Sequence, residues 1–356
     1  MEADMNRANW LILTQIGISA ILVVVVVDML CRWLTPLHPL REVEDAVADL
    51  RHRDPTVLVL GSSHARTFTL LGQTLKHLTQ GQQEVLAVPV EYGKLGSYEW
   101  VLQHRLRPLL EETNRQGTLR RSRLRHFILV TEWWDSTPVD GGGPAYNLPA
   151  RAWVLGDFLR DVGQNGFTPY NQNYLHNRWM RLFRHSTLMQ DRGHGRILLN
   201  LRQWFRPTPP KVVQQRYEKK VKNWRDKIEV GFKRMGHPHH MAAFNRILDY
   251  FQQRQIEVTV LLYPRMPGTL SPKGRLDTID AFAALLRQEC DKRQIRLLDM
   301  TYTSPLQDTD FAEDFDHVTL EGNRKFIRWS LDGPLNFLLQ DAVVSASPAS
   351  AQGSRP

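Results

Sequence analysis

The sequence predicts an α/β domain of three layers around a mostly parallel sheet. Two observations carry that prediction. Short runs of apolar residues recur along the chain, of the kind found in strands buried on both faces. Between them lie stretches with apolar residues at helical spacing. A third feature stands outside this rhythm: a long apolar segment near the N-terminus.

After a polar tail over residues 1–9, that segment runs from Trp10 to Val27 with no charged residue and continues to Leu34. Eighteen residues span roughly 27 Å as a helix, and with its flanks the segment matches a bilayer core of about 30 Å. Trp10 and Trp33 mark its two ends, as interfacial aromatics do. Residues 10–34 are therefore expected to cross a lipid bilayer once. Glu2 and Asp4 argue against a cleaved signal peptide, whose leading region is basic. Arg7 before the segment, and Arg32 and Arg41 after it, leave the orientation open.

The α/β domain is expected over residues 45–341. A helix through Val43, Ala46, Val47 and Leu50 leads into the first strand, 56–60 (Thr-Val-Leu-Val-Leu). Helical spacing follows through Leu70, Leu71, Leu75 and Leu78, then a second strand over 84–90 and a helix over 98–112. The third strand is 126–130, the fourth 256–262 and the fifth 295–299, with an amphipathic helix over 277–290 before the last. Residues 135–240 are too long for an ordinary connection and read as an insertion rich in aromatics and arginine. Its last part, 211–234, carries nine Lys and Arg against three acids, which suits a solvated helix face or a surface for an anionic partner. Residues 342–356, rich in Ala, Ser and Pro, are expected to be a disordered tail.

The chain carries a net charge of +9, yet shows no nucleic-acid-binding motif, so no nucleic-acid partner is expected. Cys31 and Cys290, the two cysteines, lie in different segments and suggest no disulfide. His237-Pro-His239-His240 matches no common zinc spacing, and neither a metal nor a cofactor is expected.

Two short blocks carry chemistry. Gly61-Ser62-Ser63-His64 follows the first strand, and Asp314-Phe-Asp316-His317 lies near the end of the domain. A serine hydroxyl is a poor nucleophile without a base within hydrogen-bond reach, and a carboxylate orients that base. Ser62 and Ser63 also suit the cap of a following helix. His64 reads as a loop residue, and Arg66 as a surface ion pair or an anion contact.

These blocks, with Gly96 and Gly322, resemble those of the SGNH/GDSL hydrolase superfamily over roughly residues 55–131 and 256–335. The resemblance implies a flavodoxin-like SGNH fold and ester acyl chemistry. It places the nucleophile at Ser63, the general base at His317 and its orienting carboxylate at Asp314, with Asp316 and Ser62 as the near alternatives. It places oxyanion donors at the Ser63 and Gly96 backbone N–H groups. The family's Gly-x-Asn-Asp block is missing; the third strand instead ends in Glu132-Trp133-Trp134-Asp135. Trp133 offers an indole N–H there, and Arg265, just after the fourth strand, suits an anionic substrate.

A membrane anchor joined to such a domain further resembles SGNH-like proteins of bacterial cell-envelope O-acylation. That likeness implies an extracytoplasmic, periplasmic acyltransferase. A cell-surface glycan would be the acyl acceptor, and a membrane-bound acyltransferase the partner. An esterase, a non-catalytic assembly protein and a cytosol-facing enzyme are the alternatives.

Overall fold

The computed structural model describes residues 41–90, 93–113, 119, 123–137, 235–270, 277–312 and 316–346, with scattered residues in 14–26, 159–166 and 215–226. The chain divides into two compact units: Met1–Arg41 with Pro149–Pro210, and Glu42–Leu148 with Lys211–Pro356. In the first unit, Ile18, Leu22, Val23 and Val26 are helical and exposed. Among the described residues no helix is long and apolar enough to cross a membrane. Most of 10–34 lies outside the described residues.

The second unit is an α/β domain. Helix α1 (Arg41–His52) precedes strand β1 (Val57–Gly61), and α2 (Thr67–Leu78) leads to β2 (Val85–Pro89). Helix α3 (Leu95–Val101) passes through a π-turn at Leu102–Leu106 into the short α4 (Arg107–Leu110), before β3 (His126–Thr131). Helix α5 (Pro238–Gln252) precedes β4 (Glu257–Leu262), and α6 (Asp277–Asp291) precedes β5 (Arg296–Asp299). Helices α7 (Leu320–Asp332) and α8 (Phe337–Ala346) close the unit.

All five strands are parallel, in the order β2-β1-β3-β4-β5. The alternation of side chains along each strand feeds two apolar layers. Val57, Val59, Ile128, Val130 and Leu261 face one core with Phe68 and Leu71 of α2 and Phe326 and Ile327 of α7. Intervening residues such as Phe127 face the other, where its ring stacks 3.7 Å from that of Phe251 on α5. Helices thus cover both faces, as the apolar strand runs require.

All five expected strands are present to within a residue or so at each end. Helices α5 and α7 have no counterpart in the sequence-based assignment. The expected tail over 342–356 is corrected at its start, because α8 continues to Ala346; residues 347–356 lie outside the described residues. Near the C-terminal part of the insertion, Tyr217 and Val221 pack on the core while Glu218, Lys219, Lys220 and Lys222 are exposed.

The strand order reverses direction between β1 and β3, and open α/β sheets bind ligands at the carboxyl ends of the strands at such a reversal. Ser62-Ser63 leave β1 there, and Glu132-Trp133 leave β3 beside them.

Candidate active site

The turn after β1 is shaped by Gly61. A Cβ at that position would collide with the Val130 carbonyl, so only glycine lets β1 and β3 approach this closely. The chain then enters a 3-10 turn, Ser63–Arg66, which Ser62 caps by accepting from the His64 N–H at 3.4 Å. The cap role therefore falls to Ser62 and leaves the Ser63 hydroxyl free for another partner.

That partner is His317, whose Nε2 lies 2.6 Å from Ser63 Oγ. His317 is carried on a loop closed at its base. Phe311 and Val318 form an isolated antiparallel bridge, and the Ala312 N–H donates to the His317 carbonyl at 2.7 Å. Two residues on, Thr319 caps α7 by accepting from the Gly322 N–H at 3.1 Å. A side chain at Gly322 would strike the Asp310 carbonyl and Val318, which accounts for the glycine of this block. Asp314 lies outside the described residues.

Beneath the pair sits a buried charged network. Arg265, 6 % exposed, ion-pairs with Glu132 and donates to Asp316 Oδ1 at 2.6 Å. Asp316, the near alternative to Asp314, therefore points inward to Arg265. Burial would raise its carboxyl, but the charges of His64, Arg265 and His317 outweigh that and hold it well below the usual carboxylate range.

His64 is no ordinary loop residue. It is 3 % exposed, and its Nδ1 lies 2.9 Å from Ser62 Oγ and 3.8 Å from Glu132 Oε1. Its Nε2 lies 3.2 Å from the Asp316 carbonyl oxygen and 3.5 Å from Asp316 Oδ1. Sequence reasoning passed over His64 as a site residue; its place directly after the candidate nucleophile was the available signal.

The other expected site residues are placed as follows. The Gly96 N–H donates to His240 Nδ1 at 3.2 Å, so this donor is engaged and does not face a developing oxyanion. Burial first, then His239, Lys94 and His237, pull His240 down to about 3, so it stays neutral and keeps this acceptor at neutral pH. The Ser63 N–H, at the first residue of its turn, has no acceptor within that turn and is the remaining backbone candidate. Trp133 is 3 % exposed, and its Nε1 has no hydrogen-bond partner among the described residues. Arg66 pairs with Glu42 of α1 at 2.7 Å, which is the surface ion pair rather than an anion contact. Arg265 is already matched by two carboxylates, so its expected role in holding an anionic substrate is revised to a structural one.

Further in, Lys94 is 1 % exposed and donates to the Trp134 carbonyl at 2.6 Å and to Thr137 Oγ1 at 2.8 Å. Asp135, wholly buried, accepts from Thr131 Oγ1 at 3.1 Å and from the Glu132 N–H at 3.0 Å. Burial pulls the Lys94 ammonium down to about 7 and pushes the Asp135 carboxyl up to about 7. Tyr98, wholly buried nearby, donates its hydroxyl to the Gly93 carbonyl at 3.4 Å.

His64, Asp316 and His317 place possible ligand atoms within 4.8 Å of one another. The Arg265 cation on Asp316 Oδ1 already balances the carboxylate and opposes a second positive charge. What the arrangement does suit is removal of the Ser63 proton by His317 and attack of Oγ on an electrophilic carbonyl. No protein-family model matches the chain, and no curated protein sequence matches it either.

Proposed function

We propose that the protein is a membrane-anchored, SGNH-like serine O-acyltransferase that passes an acyl group, acetyl being the expected one, to a hydroxyl of a cell-surface glycan. The observation that carries this reading is the 2.6 Å contact between Ser63 Oγ and His317 Nε2 at the carboxyl edge of the sheet. In the first half-reaction His317 takes the Ser63 proton as Oγ attacks the donor carbonyl. The leaving group then departs with that proton, and the acyl group remains on Ser63. In the second, an acceptor hydroxyl gives its proton to His317 and attacks the acyl-serine. The new ester leaves, and the proton returns to Ser63 Oγ. With water as acceptor the same cycle is that of an esterase. The apolar run from Trp10, with exposed Ile18, Leu22, Val23 and Val26, supports the membrane anchor.

A second reading, a non-catalytic glycan-assembly protein, is favoured by one set of observations. Glu132, at the place of the missing asparagine block, is paired with Arg265, and the Gly96 N–H is engaged by His240. Acetyl release from an aryl acetate by the full chain in detergent separates the two. The acyl-transfer reading requires release above background that Ser63→Ala and His317→Ala both abolish. Equal release from wild type and both variants would remove it and leave the assembly reading.

A further inference from the structure

Ser63 and His317 meet across 254 residues of sequence, so their distance is set by how two loops are held together. A second link between the same loops runs beside theirs. It joins the residue after Ser63 to the residue before His317, namely His64 to Asp316. We propose that His64 is a positioning residue, a strut that holds the His317 loop onto the nucleophile turn and so sets the Ser63–His317 geometry. This inference rests on the acyl-transfer reading of the site.

The hydrogen placement on His64 follows from its partners. Nε2 faces two oxygens of Asp316, a carbonyl and a carboxylate, and neither can donate. Nε2 therefore carries a hydrogen in either charge state of the ring. In the neutral ring Nδ1 is then the acceptor, and the Ser62 hydroxyl donates to it over 2.9 Å. The ring is thereby pinned at both nitrogens, one to the strand β1 turn and one to the His317 loop.

Its faces are held as well. The Tyr263 ring lies 4.4 Å away, centroid to centroid, and its hydroxyl is bonded to Thr67 Oγ1 at 2.8 Å. Thr67 in turn donates to Asn323 Oδ1 at 2.9 Å, tying the start of α2 to the start of α7. The His317 ring lies 5.2 Å from that of His64 and is nearly parallel to it, with 19° between the planes. Asp316 is held by Arg265 as well, which donates to Oδ1, the carboxylate oxygen that His64 Nε2 approaches at 3.5 Å. Each end of the strut is thus held by further contacts, and each member of the proton-transfer pair is the chain neighbour of one end, Ser63 of His64 and His317 of Asp316.

A misplacement of about 1 Å between a base and its nucleophile costs on the order of 100-fold in rate. The test is labelling of Ser63 by a fluorophosphonate in the full chain in detergent. The reagent forms a Ser63 Oγ–phosphorus bond, releases fluoride, and sends the serine proton to His317. The dependence of the rate on reagent concentration separates binding from the chemical step. His64→Phe keeps a ring but loses both nitrogens, and His64→Asn keeps an amide too short to reach Asp316. Both are expected to slow the chemical step by about 100-fold with reagent binding unchanged. His64→Gln, whose longer amide N–H reaches further, is expected to recover most of the rate. Wild-type labelling rates in His64→Phe or His64→Asn, or equal losses in all three variants, would overturn the strut. If Ser63 in the wild type is not labelled, the acyl-transfer reading is at fault. The strut is then decided by the 15N shifts of the His317 ring, which move in His64→Asn if it holds and stay unchanged if it does not.

Discussion

Arg265 donates to Asp316 Oδ1 at 2.6 Å from a side chain that is almost wholly buried, and the same guanidinium pairs with Glu132. One cation thus joins the loop after β4, the end of β3 and the loop that carries His317. Removing it with Arg265→Met leaves the buried Glu132 and half-buried Asp316 carboxylates without their guanidinium, with only the His64 ring nearby. The expected loss is about 3–5 kcal/mol, read from urea unfolding of the α/β unit. Arg265→Lys is expected to restore only part of it, since one ammonium cannot present the guanidinium's forked donors. A loss below about 1 kcal/mol for Arg265→Met would show that the network is not integral to the fold.

Asp316 makes the same unit acid-sensitive. Its carboxyl is held below its ordinary value in the folded chain, so its contribution to stability is present above the unfolded-state value of about 4. That contribution is lost as pH falls from there through the lower folded value. The midpoint urea concentration should therefore fall below about pH 4, and Asp316→Asn should flatten that part of the curve.

The Lys94 and Asp135 pair predicts a dip in stability near neutrality. Asp135 is raised to about 7, so the folded chain holds its proton longer and stability falls as pH rises from about 4 to about 7. Lys94 is lowered to about 7, so the unfolded chain binds more protons above that point and stability rises towards about pH 10. Thermal unfolding across this range should show the minimum, and Asp135→Asn should remove its acid-side arm.

His240 supplies a further pH signature. Its folded value is about 3, below the unfolded value of about 6.5, so its stabilising neutral form is lost as pH falls between the two. His240→Asn offers the Gly96 N–H an amide oxygen that does not titrate in this range. Denaturation of the variant should lose this component between about pH 6.5 and 3, while a curve parallel to wild type would refute the assignment.

Gly61→Ala places a methyl group against the Val130 carbonyl at the junction of β1 and β3. Overpacking of this kind costs about 1–3 kcal/mol, and here it moves the turn that carries Ser63. Acetyl release should fall along with the unfolding midpoint. Unchanged release would mean that the strands absorb the shift without moving the nucleophile.

The fold was legible because its strands are short apolar runs that only a sheet covered on both faces accommodates. Helix α5 was not, because the His237-Pro-His239-His240 start reads as loop chemistry until the helix beyond it packs under Phe127. Helix α7 was hidden behind the His317 block, whose Thr319 cap becomes recognisable only once the Gly322 N–H is seen to reach it. Within the site, Ser63 and His317 announced themselves by residue type and position. Their neighbours did not: His64, Arg265 and Asp316 each have a plausible solvated reading when considered singly.

The sequence by itself determined the strand and helix alternation, the glycine at the end of β1 and the two blocks that supply a serine and a histidine. These are local properties, written in side-chain period and in the few residue types able to serve as nucleophile or base. Tertiary structure alone decided which groups are spoken for. It turned Asp316 inward to Arg265, engaged the Gly96 N–H with His240, and set His64 between Ser62 and Asp316. Charge pairing and hydrogen bonding in a dry interior depend on partners brought together from distant parts of the chain, and no local pattern encodes which partners arrive.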